Sequence, residues 1–284
     1  MNSYYEAPTT LEYFATLVQS DEHLPLLEAA ACIAQDEYPE LDIQQLLADV
    51  DQLISRLRRR MREDMSEVQR LQVLNRFFYG DLGFGGNLNN FYDPENSYIN
   101  DVLRTRRGIP ISLALVWMEL AQGIGLQVHG VGFPGHFLVK VSVSEGLVVL
   151  DPMTGQSLTR ELLSERLVPF RQRMGASGDD EAPLGLFLQA ATARDILARM
   201  LRNLKEIHLS QKDAVRQLAV LDRLLVLFPD AWSERRDRGL VHAQQGHTQQ
   251  ALADLEAYVA HADQQPDKAE MASQVETLRR EARG

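Results

Sequence analysis

The amino-acid sequence predicts an α+β domain with a helical lead-in over residues 1–178, followed by an all-α tail over residues 184–284. Three observations carry that prediction. Apolar residues recur three and four apart before residue 80 and again after residue 190, as they do on one-sided helices. A strongly apolar helix opening near Pro110 is followed at once by short β-rich runs, the order of an α+β core. Between core and tail, Gly175-Ala-Ser-Gly-Asp-Asp-Glu-Ala-Pro183 is small, acidic and unpatterned, which is the profile of a linker.

Residues 9 to 80 read as helices. Thr9 with Glu12, and Ser66 with Gln69, have the spacing at which two side chains satisfy each other's orphan backbone amides in a first turn. Leu41 to Ile54 places apolar residues on one face. The basic run Arg56, Arg58, Arg59, Arg60 and Arg62, flanked by Glu63 and Asp64, reads as a solvated helix face. Gly80 to Asn100 is rich in Gly, Asn and aromatic residues and predicts a long ordered loop of the kind that binds something or lines a site. Gly83-Phe-Gly85-Gly86 is no phosphate cradle, since no strand precedes it and no Lys-Ser/Thr pair follows. The next helix takes Pro110 near its start, where a missing amide costs little, runs apolar from Ile111 to Ala121 and stops at Gly123 and Gly125. Val128–Phe133, Phe137–Val143 and Leu147–Leu150 read as strands, the last two joined as a hairpin through Ser144-Glu145-Gly146.

In the tail, His208 and His242 stand one 34-residue period apart, and Pro229 precedes Trp232 at the start of the next unit. Gly239, Ala251 and Leu255 then fall where a tetratricopeptide repeat wants two small residues and a bulky one, so residues 232–265 resemble one such repeat. The unit before it matches at fewer positions, and the unit from Pro266 is cut short, as a capping helix is. A plain helical hairpin is the alternative.

Composition narrows the function. The chain has 284 residues, 45% of them apolar, and 40 acidic against 29 basic side chains for a net charge of −11, which argues against phosphate-backbone binding and so against nucleic acid as partner. The first ten residues carry Glu6 and no apolar run, and no stretch reaches the length of a membrane span; the expectation is a cytoplasmic protein with no membrane partner. Cys32, the single cysteine, lies in an apolar run and reads as a core thiol. The seven histidines include no His-x-x-x-His pair, so neither a metal nor another cofactor is expected.

Arg107-Gly-Ile-Pro-Ile-Ser-Leu-Ala-Leu-Val-Trp-Met-Glu-Leu-Ala-Gln-Gly-Ile-Gly125, then Gly135-His-Phe-Leu-Val-Lys140, then Val149-Leu-Asp-Pro152, resembles the transglutaminase-like superfamily over roughly residues 66 to 155. The resemblance implies a papain-like helix-plus-antiparallel-sheet core in which a cysteine opens the helix, a histidine begins a strand and an aspartate ends the next. His136 and Asp151 take the last two places. The family's helix spacing puts Pro110 at the place of the cysteine, with Ser112 two residues on. Cysteine-less domain, Gly/Asn-rich loop and repeat tail together look like the bacterial SirB-type family.

From strand alternation alone, a hairpin loop of two or four residues puts His136 and Asp151 on one sheet face, and a plain three-residue loop opposes them unless a bulge intervenes. A carboxylate beside an imidazole fixes its tautomer. Ser112 has two readings: a first-turn serine satisfying an amide, or a substitute nucleophile for His136 and Asp151 in a hydrolase or acyl transferase. Asn87, Tyr98 and Pro110 are expected to line the cleft with them. The leading expectation is a non-catalytic binding or regulatory protein whose tail, residues 198–284, takes a protein partner on a concave helical surface.

Overall fold

A computed structural model of the chain describes residues 8–173, 183–261 and 265–282. All of the expected linker except Pro183 lies outside the described residues. The chain folds into two compact units, residues 21–200, and residues 1–20 with 201–284. The opening helix α1 (Thr10–Leu17) belongs to the second of these rather than to the unit that contains the segment following it. Its capping box is the one read from sequence: the Glu12 amide donates to Thr9 Oγ1 and the Thr9 amide to Glu12 Oε2, at 3.2 and 2.8 Å.

In the 21–200 unit, α2 (Leu26–Ala34) buries seven of its nine residues, Cys32 among them, and lies against α3 (Ile43–Arg58). α3 begins where Asp42 accepts from the Gln45 amide and buries the stripe Ile43, Leu46, Val50, Leu53, Ile54 and Leu57. The arginines at its end stay exposed, as expected of a solvated face. α4 (Glu67–Asn75), with its Ser66–Gln69 capping box, runs on into one π-helical turn, Arg76–Asp81.

The glycine- and asparagine-rich segment is ordered. It contains β1 (Gly85–Gly86), the 3-10 turn Pro94–Asn96 and the start of α5 (Ile99–Thr105), a helix that the loop reading does not include. β1 pairs in parallel with β2 (Arg107–Gly108) immediately before α6 (Pro110–Gly123). In α6 every residue from Pro110 to Met118 is buried, and the helix contacts α2, α3, α4 and α5. Pro110 is its first residue, the position predicted for it.

β3 (Gln127–Val131), β4 (Leu138–Val143) and β5 (Gly146–Leu150) form an antiparallel sheet in the order β3-β4-β5. β3 and β4 contact α6. Val131, Phe133, Leu138 and Val149 make a second core with Leu163 and Leu167 of α7 (Arg160–Arg173) and Leu184 of α8 (Leu184–Phe187). The hairpin pairs Val143 with Gly146 and Val139 with Leu150, so its loop is the two residues Ser144 and Glu145.

The other unit contains, besides α1, the part of α9 (Ala193–Gln211) from Leu201 onward, then α10 (Ala214–Leu227), α11 (Trp232–Gln244), α12 (Thr248–His261) and α13 (Lys268–Glu281). α10 and α12 begin 34 residues apart and end 34 residues apart, so the unit that matches a repeat at fewer sequence positions keeps the full period in space. Gly239 explains its own size: a Cβ there would stand 2.8 Å from Leu255 Cγ, so the two helices meet too closely for any side chain. Ala251, Leu255 and Tyr258 of α12 pack on Met271, Val275 and Leu278 of α13. Charge ties the same helices together. Arg238 of α11 makes two hydrogen bonds of 2.7 Å to the buried carboxylate of Asp254 and a third, also 2.7 Å, to Asp222. Among the described residues no helix is long and apolar enough to cross a membrane.

Candidate functional site

Extending the hairpin register by one step places Leu138 opposite Asp151. His136, two residues earlier, therefore shares the face of Asp151, the outcome that a two-residue loop requires. The side chains meet, with His136 Nε2 3.0 Å from Asp151 Oδ1. An ionised carboxylate can only accept, so Nε2 carries the hydrogen and Nδ1 keeps its lone pair.

The turn after β5 builds the carboxylate's surroundings. The Met153 amide donates to Asp151 Oδ1 at 3.0 Å, and Arg166 Nη1 of α7 donates to Oδ2 at 3.2 Å. Burial pushes the Asp151 carboxyl up, yet the hydrogen bond and charge of His136, with the Met153 amide and Arg166, outweigh it and hold the group below the usual aspartate range. Tyr79, in the π-helical turn, donates to Pro152 O at 3.0 Å; burial, with the nearby Asp151 charge, pushes its phenol well up. On the histidine side, Arg199 Nη2 donates to His136 O at 2.8 Å while its guanidinium lies 5.5 Å from the Phe137 ring centroid. His136 and Arg166 line a cleft of about 310 Å³ whose walls include Phe133, Phe170 and Arg173.

The remaining residues picked from sequence are gathered elsewhere, around Asn96. Ser112 is fully buried; its hydroxyl donates to Asn96 O at 2.6 Å and accepts from the Ile109 amide at 3.2 Å. Asn87 Nδ2 donates to Asn96 Oδ1 at 3.1 Å, and the Asn96 side chain in turn donates to Asn90 O at 2.6 Å. Gly108 makes room for this arrangement, since a Cβ there would lie 2.7 Å from Ser112 Oγ. Tyr98 is buried edge-on to Tyr38, with centroids 5.8 Å apart, and Pro110 is buried. None of Asn87, Tyr98, Pro110 and Ser112 lines the His136 cleft, and His136 is not among the hydrogen-bond partners of Ser112. The structure thus brings together His136 with Asp151, and separately Asn87 with Ser112 through Asn96.

Sequence reasoning passes over Arg166, Arg199 and Asn96. Arg166 sits on a helix whose two buried residues, Leu163 and Leu167, give a thin periodic signal interrupted by Pro169. Arg199 and Asn96 act on or through backbone carbonyls, which no residue type announces. Among the described residues, no three His, Cys, Asp or Glu side chains are arranged to hold a metal ion.

Known proteins share this organisation. The model of the transglutaminase-like superfamily matches residues 44–202, and that of the tetratricopeptide repeat, a module that generally mediates protein–protein interaction, matches residues 204–276. A UPF0162 protein of Xylella fastidiosa (strain Temecula1) is 40% identical over 240 residues, 84% of each chain, and a UPF0162 protein of Pseudomonas aeruginosa is 31% identical over 81% of this chain and 82% of its own. Protein SirB1 of Salmonella typhimurium is 24% identical over 81% of this chain and 84% of its own. No solved structure matches. The helix, sheet and His136–Asp151 pair, followed by repeat helices, accord with these matches: the chain belongs to the transglutaminase-like superfamily and, within it, to the UPF0162 proteins.

Proposed function

We propose that this protein is a non-catalytic transglutaminase-like module that binds or regulates, working in the cytoplasm and taking a protein partner through the helices of residues 198–284. What supports the reading is the start of α6. Pro110 occupies the position where the superfamily resemblance expects a cysteine, and the nearest hydroxyl, Ser112, spends its hydrogen on Asn96 O at 2.6 Å. The one thiol, Cys32, is buried in α2. A histidine held by a carboxylate is half of a nucleophilic device, and without its nucleophile the pair serves to shape and polarise a cleft. The single cysteine also fits a reducing compartment.

The rival reading, a hydrolase or acyl transferase using Ser112 with His136 and Asp151, requires the Ser112 hydroxyl to leave Asn96 and come within about 2.6 to 3.2 Å of an imidazole nitrogen. Purified full-length protein assayed with glutamine-amide donors and activated esters separates the two. Turnover no faster than the buffer, unchanged in His136→Ala and in Ser112→Ala, is the expected result. Turnover that both substitutions abolish would overturn the non-catalytic reading.

A further inference from the structure

A second cleft of the 21–200 unit, about 510 Å³, runs between α3 and α5 and shares no residue with the His136 cleft. Two of its walls are Arg56, near the end of α3, and Arg106, the residue that caps α5. Most arginines of this unit near a carboxylate take it: Arg60 pairs with Asp81, Arg62 with Asp64, Arg104 with Asp101 and Glu95, Arg166 with Asp151. Arg56 and Arg106 take none among the described residues. Instead they lie against aromatic faces, Arg56 at 5.7 Å from the Phe77 centroid and Arg106 at 4.7 Å from that of Phe84, whose ring stacks on Phe78. Such a contact positions a guanidinium without neutralising it.

Three further observations point the same way. Arg106 holds φ +61° and ψ +22°, the left-handed region that a side chain adopts at a steric cost. Burial, and then the charge of Arg56, push the Arg106 guanidinium down from its ordinary range, so the two cations feel each other with nothing between them. Asn100, which lines the same cleft, has its Oδ1 buried without a hydrogen-bond partner. The acidic wall residues do not supply the missing charge. Asp42 and Asp49 lie two to four turns back along α3, the nearer roughly 10 Å away along the axis, and they accept from the backbone and side chain of Gln45.

We infer that the α3–α5 cleft is a binding site for a small oxyanion-bearing molecule, its carboxylate or phosphoryl group seated between Arg56 and Arg106 and a neighbouring N–H or O–H donor turned to Asn100 Oδ1. Guanidinium forks match both groups in geometry and charge. The site is separate from the His136 cleft and does not depend on how that cleft is used.

Thermal melting of the full-length protein tests it, with inorganic phosphate as the phosphoryl probe, glutarate as the carboxylate probe and potassium chloride at matched ionic strength as the control. Wild-type protein should melt about 3 °C higher at tenfold saturation by whichever probe carries the right group, and chloride should do nothing. Arg106→Gly relieves the left-handed backbone while deleting the cation, so it should fold with an undiminished melting temperature and lose the response. Arg56→Gln, an exposed change, should lose it too. A response to phosphate alone assigns a phosphoryl ligand, and one to glutarate alone a carboxylate. An equal rise in wild type and Arg56→Gln, a rise reproduced by chloride, or no rise with either probe overturns the inference.

Discussion

Arg166 Nη1 lies 3.2 Å from Asp151 Oδ2, the carboxylate oxygen that His136, bound to Oδ1, leaves open. A helix that follows the sheet in sequence thus reaches back to complete the environment of the acid at the end of β5. The carboxylate is held from two sides and from its own turn, so its ionised form is worth more folded than unfolded.

That relation sets a pH dependence. Because the folded carboxyl of Asp151 sits below its unfolded value of about 3.9, its contribution is present above that value and is lost as pH falls through the lower folded one. Asp151→Asn should cost about 2 kcal/mol at pH 7, and the gap to wild type should narrow below about pH 4. Urea melts of both proteins at pH 7 and pH 3 check this; a gap of constant size would mean that the negative charge is not its source.

Ser112→Ala removes a hydroxyl buried between the start of α6 and Asn96 O. The cost should be about 1 to 2 kcal/mol of stability, since the Asn96 carbonyl and the Ile109 amide both lose a partner. Ser112→Cys, close in shape, should keep part of it. Denaturant midpoints of the three proteins measure the effect, and an unaltered midpoint in Ser112→Ala would remove the structural role given to this serine.

Gly239 and Leu255 make a steric prediction for the tail. Gly239→Val should destabilise by about 2 kcal/mol or more, because a Cβ would already lie 2.8 Å from Leu255 Cγ in a well-packed interface. Leu255→Ala, harmful by itself through the cavity it opens, should be less harmful in the Gly239→Val background. A double-mutant cycle followed by circular dichroism reads the coupling, and strict additivity would contradict the close approach.

Asp254→Ala strips Arg238 of its two-pronged partner and leaves only Asp222. The expected loss is about 2 to 3 kcal/mol, below the range for a wholly buried pair because Arg238 is 23% exposed. Asp222→Ala, at the more open end, should cost less. Amide hydrogen exchange in α11 and α12 resolves the two.

Features governed by neighbours in sequence were legible from residue types. Thr9 with Glu12, Ser66 with Gln69 and Pro110 at a helix start are local devices, and each forms as its spacing implies. The His136–Asp151 alignment depended on one integer, the number of loop residues. Chain chemistry leaves that integer open, because Gly146 fits equally as the last residue of a turn or the first of a strand; in the structure it begins β5. The environment of the pair was hidden. Arg166 comes from a helix with a proline in its last turn, and Arg199 and Asn96 work through carbonyl oxygens that every residue possesses. α5 was masked by the loop-forming composition just before it, where Asn96 and Ser97 end the 3-10 turn only three residues ahead of Ile99.

The matching bounds of α10 and α12 make the tail modular in whole steps. Duplicating or excising one complete beat of 34 residues would present each surviving helix with a neighbour of the kind it already has, whereas trimming a handful of residues from α11 would rotate its Gly239 away from Leu255 and leave every later seam out of phase. Evolution of the tail's reach is thereby quantised, and its length can change only by steps large enough to add or remove a binding groove outright.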